Sequence, residues 1–273
     1  MSEDVLLVER QGPVATVTID RPRVHNALNR QVLADLDRTL AGLAAEGVRA
    51  VVLTGSGTRA FSAGADLDEL SGLSAEQAHT VLSAGQSVVA RIERSPVPVV
   101  AAVNGLALGG GFEVVLACTF AVLADTASLG LPEAGLGLMP GYGGTQRLAR
   151  RVGRPVAAHA MLTGERISAD RAYALGLTPV APVPVDTVVD TARELALRIA
   201  ARGPRAVRAV LLALHHGADV PLDAGLALES ALAGLVTGGD EAAEGIAAFQ
   251  DRRPPAFDAT RPTTPQEPTE GTA

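Results

Sequence analysis

The sequence contains no lysine and no tryptophan, and only 3% of its residues are aromatic. All 23 basic residues are therefore arginines, which excludes a Schiff-base lysine, a pyridoxal phosphate anchor and a P-loop lysine. The scarcity of aromatic residues argues against modules that stack nucleic-acid bases on aromatic rings. Because Cys118 is the single cysteine, no intramolecular disulfide can form, and a reducing compartment is expected.

Charge and hydropathy indicate a globular protein in which any contact with phosphate groups must be local. The formal net charge is −7, so there is no overall field to attract nucleic acid. No apolar run approaches the ~18 residues of a membrane span, and the N-terminus lacks the features of a signal peptide. Hydrophobic residues make up 47% of the 273 residues, which is a globular composition. We expect a soluble cytoplasmic protein that binds neither nucleic acid nor membranes.

The first half of the chain alternates apolar strands with amphipathic helices. Two β-prone runs, 5–9 and 15–19, predict a hairpin. Asn29 is the predicted cap of a helix whose apolar positions are Val32, Leu33, Leu36, Leu40 and Leu43. Further strands are predicted over 48–54, 99–103 and 120–124, with a loop over 55–64 and helices over 74–95 and 112–118. Strands that are apolar on both faces pair in parallel, which predicts an α/β fold with right-handed crossovers.

The second half of the chain is predicted to be mainly helical. Candidate helices cover 145–151, 155–162, 168–175, 185–202, 204–214, 222–235 and 240–253. We therefore divide the chain into a core of residues 1–190, a helical region of residues 191–257 and a disordered tail of residues 258–273, which is rich in Thr, Pro and Glu.

Two segments place glycines where a ligand could meet the main chain. In the first, Gly64 permits a tight turn that would present the Ala65 amide, and the alternative is an ordinary loop with Asp66 as a helix cap. In the second, the glycines at 109–111 precede a helix and leave N–H groups free at its positive end. Glu113 follows one turn later, either as a charge that complements the helix dipole or as a catalytic group.

A third segment carries a second carboxylate in apolar surroundings. Pro132 precedes Glu133, and such a setting raises a carboxyl pKa so that the group can act as an acid near neutral pH. The alternatives are a Glu that caps the helix near Thr145 or one paired with Arg147. Two carboxylates and two free amides together suit the addition of water to a conjugated acyl thioester, because the amides can hold an enolate oxygen while the carboxylates move protons.

The motifs in this order resemble the enoyl-CoA hydratase/isomerase (crotonase) family. The resemblance covers residues ~5 to ~257 and rests on RP at 21–22 with NALN at 26–29, FSAGAD at 61–66, NG at 104–105 with GGGFE at 109–113, and PE at 132–133 with PGYGGTQRL at 140–148. It implies a stack of ββα units with mostly parallel sheets and a C-terminal helical trimerisation region, assembled as a homotrimer or a dimer of trimers.

The resemblance also implies residue roles. The amides of Ala65 and Gly110 would form an oxyanion hole for the thioester, and Glu113 and Glu133 would hold the water. Both glutamates are present, which favours an enoyl-CoA hydratase, of the kind used in fatty-acid β-oxidation, over an isomerase. No metal and no cofactor is implied, since CoA is part of the substrate. The alternatives left open are a double-bond isomerase or another acyl-CoA lyase of the family, and a catalytically inactive acyl-CoA-binding subunit.

Substrate and CoA contacts follow from the same match. The residues implied are Arg23, His25, Ala27, Leu28, Arg59, Ala63, Gly64, Asp66, Leu67, Gly109 and Phe249, the last from a neighbouring subunit. Asp68 stands where many members carry lysine, so one phosphate or adenine contact differs here. The sequence leaves the acyl chain length open.

Other patterns have simpler interpretations. The stretch 55–60 imitates a dinucleotide fingerprint but is not followed by a predicted helix. Cys118 lies in an apolar run and is expected to be a buried structural thiol. The arginines at 147, 150, 151 and 154 are expected to meet acidic neighbours or another subunit rather than nucleic acid.

Overall fold

The computed structural model describes residues 5–257. The chain divides into two compact units, with the division after Ala200. The helix 188–200 belongs to the first unit because it packs on the strands of that unit. The predicted tail, 258–273, lies outside the described residues.

The first unit contains two sheets. Its strands are β1 (Leu6–Gln11), β2 (Val14–Ile19), β3 (Ala50–Gly55), β4 (Ala60–Ser62), β5 (Val99–Val103), β6 (Leu106–Leu108), β7 (Phe120–Leu123), β8 (Ser128–Gly130) and β9 (Ile167–Ser168). The larger sheet has the order β1-β2-β3-β5-β7, parallel except for the predicted β1-β2 hairpin. The smaller sheet has the order β4-β6-β8-β9, and its first three strands are parallel.

The smaller sheet is the part of the fold that sequence patterns miss. The predicted loop over 55–64 contains β4, and residues 106–108, between the predicted strand 99–103 and the predicted helix 112–118, form β6. Strands of two or three residues are too short to show a hydrophobic period. Their pairing is therefore decided by the tertiary structure.

Helices cover the larger sheet and complete the first unit. They are α1 (Arg30–Ala45), α2 (Ala75–Glu93), α3 (Gly110–Ala117), α4 (Gly144–Val152), α5 (Arg154–Thr163), α6 (Ala169–Ala174) and α7 (Val188–Ala200). The Asn29 side chain accepts from the Val32 amide at 2.9 Å, which confirms the predicted cap of α1, and the five predicted apolar positions of α1 are its buried residues. Ser74 and Gln77 form a capping box at the start of α2.

The second unit is helical. It contains α8 (Pro204–Gly217), α9 (Leu222–Thr237) and α10 (Asp240–Gln250), close to the predicted ranges. The Glu241 carboxylate accepts from the Arg205 amide at 3.0 Å and so ties the start of α10 to the start of α8. None of the helices within residues 5–257 combines the length and the apolar character that a bilayer crossing requires.

Candidate active site

Three neighbouring parallel strands of the smaller sheet end at one cavity. The segment after β4 carries Gly64 and Ala65, the segment after β6 carries Gly109 and Gly110, and the segment after β8 leads to Glu133. Residues from all three segments line a cavity of about 340 Å³. The carboxyl ends of parallel strands meet at one edge, which is where ligands bind in open α/β sheets. The strands that sequence patterns miss are thus the ones that position the site.

The segment after β4 is fixed on both sides. Leu28 forms a parallel bridge with Ala65: its amide donates to the Gly64 carbonyl at 2.8 Å and its carbonyl accepts from the Asp66 amide at 3.0 Å. Gly64 has a φ of +103°, and a Cβ there would lie 2.8 Å from the Leu108 carbonyl oxygen, so only glycine fits. Within residues 5–257 the Ala65 amide makes no hydrogen bond, and Ala65 lines the cavity.

The second free amide belongs to Gly110, the first residue of α3. Its N–H has no partner one turn earlier in the helix, as is general for helix starts. Gly109, at a φ of 49°, makes the turn into the helix. A Cβ on Gly110 would lie 3.4 Å from the Ala65 nitrogen, so the two amides are close neighbours. Two free amides that donate to one oxygen atom form an oxyanion hole, so this pair is a candidate for that role.

Glu113 lies one turn into α3 and is almost completely buried, with 1% of its surface exposed. Its Oε1 accepts hydrogen bonds from the amides of Tyr142 at 2.8 Å and Gly144 at 2.6 Å. Burial raises the pKa of the carboxyl group, while these two amides and the charge of Arg147 oppose the rise. The carboxylate is therefore held as an acceptor at Oε1, and the residue lines the cavity.

Glu133 lines the same cavity and lies at the start of a short 3₁₀ turn, Glu133–Leu136. Its Oε2 is buried and has no hydrogen-bond partner among the described residues. Burial raises the pKa of this carboxyl group to about 7, and the negative charge of Glu113 adds to the rise. Neither alternative for Glu133 holds: it is not at the start of α4, and the partner of Arg147 is the Glu93 carboxylate at 2.7 Å.

The cavity brings together most of the residues expected at the site. Those lining it are Ala27, Ala63, Gly64, Ala65, Asp66, Leu67, Gly109, Gly110, Glu113 and Glu133. Leu28 lies behind them and acts through its bridge to Ala65. Asp68, the residue that departs from the family pattern, also lines the cavity.

Several lining residues received no site role from the sequence. They are Leu70, Leu82, Leu136, Leu138 and Met139, together with Gly141 and Tyr142, which lie in the PGYGGTQRL motif at 140–148. Arg21 was also missed as a partner: its guanidinium donates to the Asp66 carboxylate at 3.0 Å and to the Ala27 carbonyl at 2.7 Å. The Asp66 carboxylate is therefore paired with the Arg21 guanidinium within the protein. The aromatic Tyr142 between two glycines is the one feature of the sequence that could have pointed to any of these residues.

The remaining predicted CoA contacts lie outside the cavity. Arg23, His25 and Arg59 are exposed and do not line it. The carbonyl groups of His25 and Arg59 accept from the amides of Ala63 and Leu106, so their main chains support the site. Phe249 belongs to the second unit and is 86% exposed. The binding roles of these four side chains stay predictions.

The other patterns have structural explanations. The stretch 55–60 runs into β4 and not into a helix, which rules out a dinucleotide-binding turn there. Cys118 is buried, and desolvation raises the pKa of its thiol to about 12, so it is held as an unreactive thiol. Arg147 and Arg151 donate to the carbonyl groups of Tyr142 and Leu116, so they are structural rather than free for phosphate.

Comparison with known proteins shows the family to which the chain belongs. The family model described as enoyl-CoA hydratase/isomerase matches residues 9–260. The chain belongs to the enoyl-CoA hydratase/isomerase family. Among curated relatives it is 41% identical over 259 residues to the 2,3-dehydroadipyl-CoA hydratase of Escherichia coli, covering 94% of this chain and 99% of that protein.

Further relatives cover nearly the whole length of the chain. The chain is 37% identical to the short-chain-enoyl-CoA hydratase of Clostridium acetobutylicum, over 91% of this chain and 95% of that one. The crystal structure of enoyl-CoA hydratase from Bacillus anthracis superposes with a TM-score of 0.89 at 39% identity, covering 93% of this chain and 99% of that one. The fold of this member of the enoyl-CoA hydratase/isomerase family is thus the crotonase fold expected from the motifs.

Proposed function

We propose that the protein is an enoyl-CoA hydratase, which adds water across the double bond of a trans-2-enoyl-CoA to give the 3-hydroxyacyl-CoA. The observation that carries this proposal is the pair of glutamates, Glu113 and Glu133, at a cavity that is also lined by the residues of two free amides. The hydratase names of relatives such as the one from E. coli support the same reaction class.

The amides of Ala65 and Gly110 stabilise the intermediate. When water attacks the β-carbon, the π electrons move toward the thioester and charge develops on its oxygen as an enolate. Two N–H groups that are held in place by the fold need no reorganisation when this charge develops, and removal of one such donor costs on the order of 10²- to 10³-fold in rate in other enzymes. The starting thioester carries less charge, so the stabilisation is larger in the transition state.

The glutamates divide the proton transfers. Glu113 is fixed through Oε1, and its other oxygen takes the proton from water as the oxygen–carbon bond forms. Glu133, whose pKa lies at about 7, supplies a proton to the α-carbon of the enolate. The proton on Glu113 then returns to Glu133 through the next water molecule. The net change is one water added, with hydroxyl on the β-carbon and hydrogen on the α-carbon, on the same face of the double bond.

The assembly and location belong to the same proposal. The second unit exposes Leu214, Leu222 and Leu235 by about 70% or more, and its helices α8 and α9 have no buried residue. Such apolar surface is typical of an interface, which supports a homotrimer or a dimer of trimers. We place the protein in the cytoplasm and assign it no cofactor beyond the CoA of its substrate. The reaction is of the type used in β-oxidation of fatty acids.

The test follows the absorbance of the conjugated enoyl thioester. The wild type is expected to abolish this absorbance and to form the 3-hydroxyacyl product, identified by mass. Glu133→Gln is expected to lose at least 10²-fold in kcat, because glutamine cannot act as the acid that donates the proton. Absence of turnover with enoyl thioesters of every chain length, or conversion to a shifted double bond, would contradict the proposal. Retention of the wild-type rate by Glu133→Gln would do so as well.

A second pair of variants isolates the Gly110 amide. Gly110→Pro removes the N–H at the first position of α3, where proline is otherwise tolerated. Gly110→Ala is the matched control, because it also adds a Cβ, which lies 2.9 Å from Tyr142 Cε2, but keeps the N–H. The proline variant is expected to be slower than the alanine variant by on the order of 10²-fold. Equal rates for the two would remove Gly110 from the oxyanion hole.

A further inference from the structure

A second cavity lies next to the catalytic one, and Tyr142 lines both. It has a volume of about 440 Å³ and is bordered by residues of α1 and α2. The residues common to the two cavities are Ala65, Asp66, Leu70 and Tyr142. Because nothing in the proposed hydration step uses the second cavity, its contact with the active site calls for a separate explanation.

The Tyr142 ring is wedged between two glycines. A Cβ on Gly85 of α2 would lie 2.7 Å from the ring carbon Cζ, and a Cβ on Gly110 would lie 2.9 Å from Cε2. The ring therefore fills a slot that exists only because both positions lack side chains. With 3% of its surface exposed, Tyr142 is packed in place on both sides.

The main chain of Tyr142 is held independently of its ring. Its amide donates to Glu113 Oε1 at 2.8 Å, and its carbonyl accepts from the Arg147 guanidinium at 2.7 Å. A shorter side chain at this position keeps both contacts. Removal of the ring is thus expected to open the slot without releasing the Glu113 carboxylate.

The ring stands close to the place where an acyl chain begins. Gly110 supplies one of the two amides for the thioester oxygen and is the residue against which the ring packs. An acyl chain that runs from the carbonyl toward this side meets the ring within a few bonds. Beyond the ring, the second cavity is lined by the apolar side chains of Leu33, Val81 and Val88. Its lining also includes charged side chains, those of Arg30, Asp37, Arg38, Glu69 and Arg91.

We propose that the Tyr142 ring is the end wall of the acyl site, so that it restricts the enzyme to short acyl chains and separates them from the second cavity between α1 and α2. This inference rests on the proposed hydratase function and deepens it. It names the substrate class, short-chain enoyl-CoA thioesters, and one residue that determines it.

The experiment compares Tyr142→Ala with the wild type on trans-2-enoyl-CoA thioesters of four to twelve carbons. The wild type is expected to prefer the shortest chains. In Tyr142→Ala the ratio of kcat/KM for the ten-carbon over the four-carbon substrate rises at least about tenfold, since each newly buried methylene group is worth about fourfold in affinity. Tyr142→Phe keeps the ring and is expected to keep the wild-type ratio.

A double variant tests where the longer chain goes. Ala84 lines the second cavity and not the catalytic one. Adding Ala84→Phe to Tyr142→Ala fills the second cavity and is expected to return the chain-length ratio to within about threefold of the wild type. Dissociation constants of saturated butyryl-CoA and decanoyl-CoA give the same comparison without any turnover, and Tyr142→Val replaces the alanine variant if that one does not fold.

The outcomes separate this inference from the function on which it rests. If the wild type turns over four-carbon substrate but Tyr142→Ala leaves both the kinetic and the binding ratios unchanged, the wall is elsewhere and the inference is wrong. A change of the ratios on Met139→Ala instead would place the chain at the exposed apolar side of the cavity and would equally overturn the inference. If the wild type hydrates none of the enoyl thioesters, the proposed hydratase function is wrong. The dissociation constants of butyryl-CoA and decanoyl-CoA then still test whether the Tyr142 ring limits the chain length.

Discussion

Replacing Glu133 by Gln is expected to stabilise the folded protein, but only at neutral and alkaline pH. Burial raises the folded-state pKa of this carboxyl group from 4.5 to about 7. The ionised form is therefore disfavoured in the folded state, and the wild type loses stability as the pH rises from about 4.5 through about 7. Glutamine carries no charge at any pH, so the variant does not lose stability as the pH rises through this range.

The magnitude follows from the pKa difference. A rise of the pKa from 4.5 to about 7 corresponds to at most about 3–4 kcal/mol, at about 1.4 kcal/mol for each pKa unit. Glu133 borders a cavity that solvent can enter, and screening there reduces the effect to ~1–2 kcal/mol. The difference in unfolding free energy between Glu133→Gln and wild type is therefore expected to be ~1–2 kcal/mol larger at pH 8.5 than at pH 4.5.

Urea unfolding at pH 4.5, 6, 7 and 8.5, at one protein concentration, measures this difference. Glu194→Gln is the matched control, because it makes the same chemical change at an exposed position of α7. The reasoning is refuted if Glu133→Gln has the same stability relative to wild type at pH 4.5 and pH 8.5. A gain confined to low pH would refute it too, since the sign would be reversed.

The same geometry predicts three further outcomes. The hydration rate of the wild type is expected to fall above about pH 7, as Glu133 loses the proton that it donates; a rate profile that is flat from pH 6 to 9 would contradict that role. Gly64→Ala is expected to cost about 1–3 kcal/mol in unfolding free energy and on the order of 10²-fold in kcat, because its Cβ would meet the Leu108 carbonyl oxygen; wild-type kinetics would contradict this. Gly85→Ala is expected to lower the free energy of unfolding by about 1–3 kcal/mol, because its Cβ would meet the Tyr142 ring. When Tyr142→Ala is added to Gly85→Ala, most of the loss caused by Gly85→Ala is expected to be recovered. If the losses of the two single variants simply add in the double variant, the two residues do not share the slot.

Much of the fold could be predicted from local patterns. The apolar face of α1, its Asn29 cap and the β1-β2 hairpin follow from periodicity and turn chemistry over a few residues, and the structure confirms them. The candidate glutamates and glycine turns were also visible, because each lies in a short segment with an unusual composition. These features depend on neighbours in the chain, so the sequence alone is enough to predict them.

Contacts between distant segments had to come from the tertiary structure. The pairing of β4, β6 and β8 brings Ala65, Gly110 and Glu133 to one cavity, and strands of three residues carry no periodic signal. The protonation of Glu133 likewise depends on burial and on the charge of Glu113.

The sequence by itself determined which groups are available: two carboxylates, glycines that free two amides, and helices with one apolar face. The tertiary structure decided which of them meet. It paired Arg147 with Glu93, left Glu133 Oε2 without a partner among the described residues and placed the Tyr142 ring between two glycines from different helices. The physical reason is that the pKa of a carboxyl group and the shape of a cavity are set by atoms within a few ångströms in space, whatever their separation along the chain.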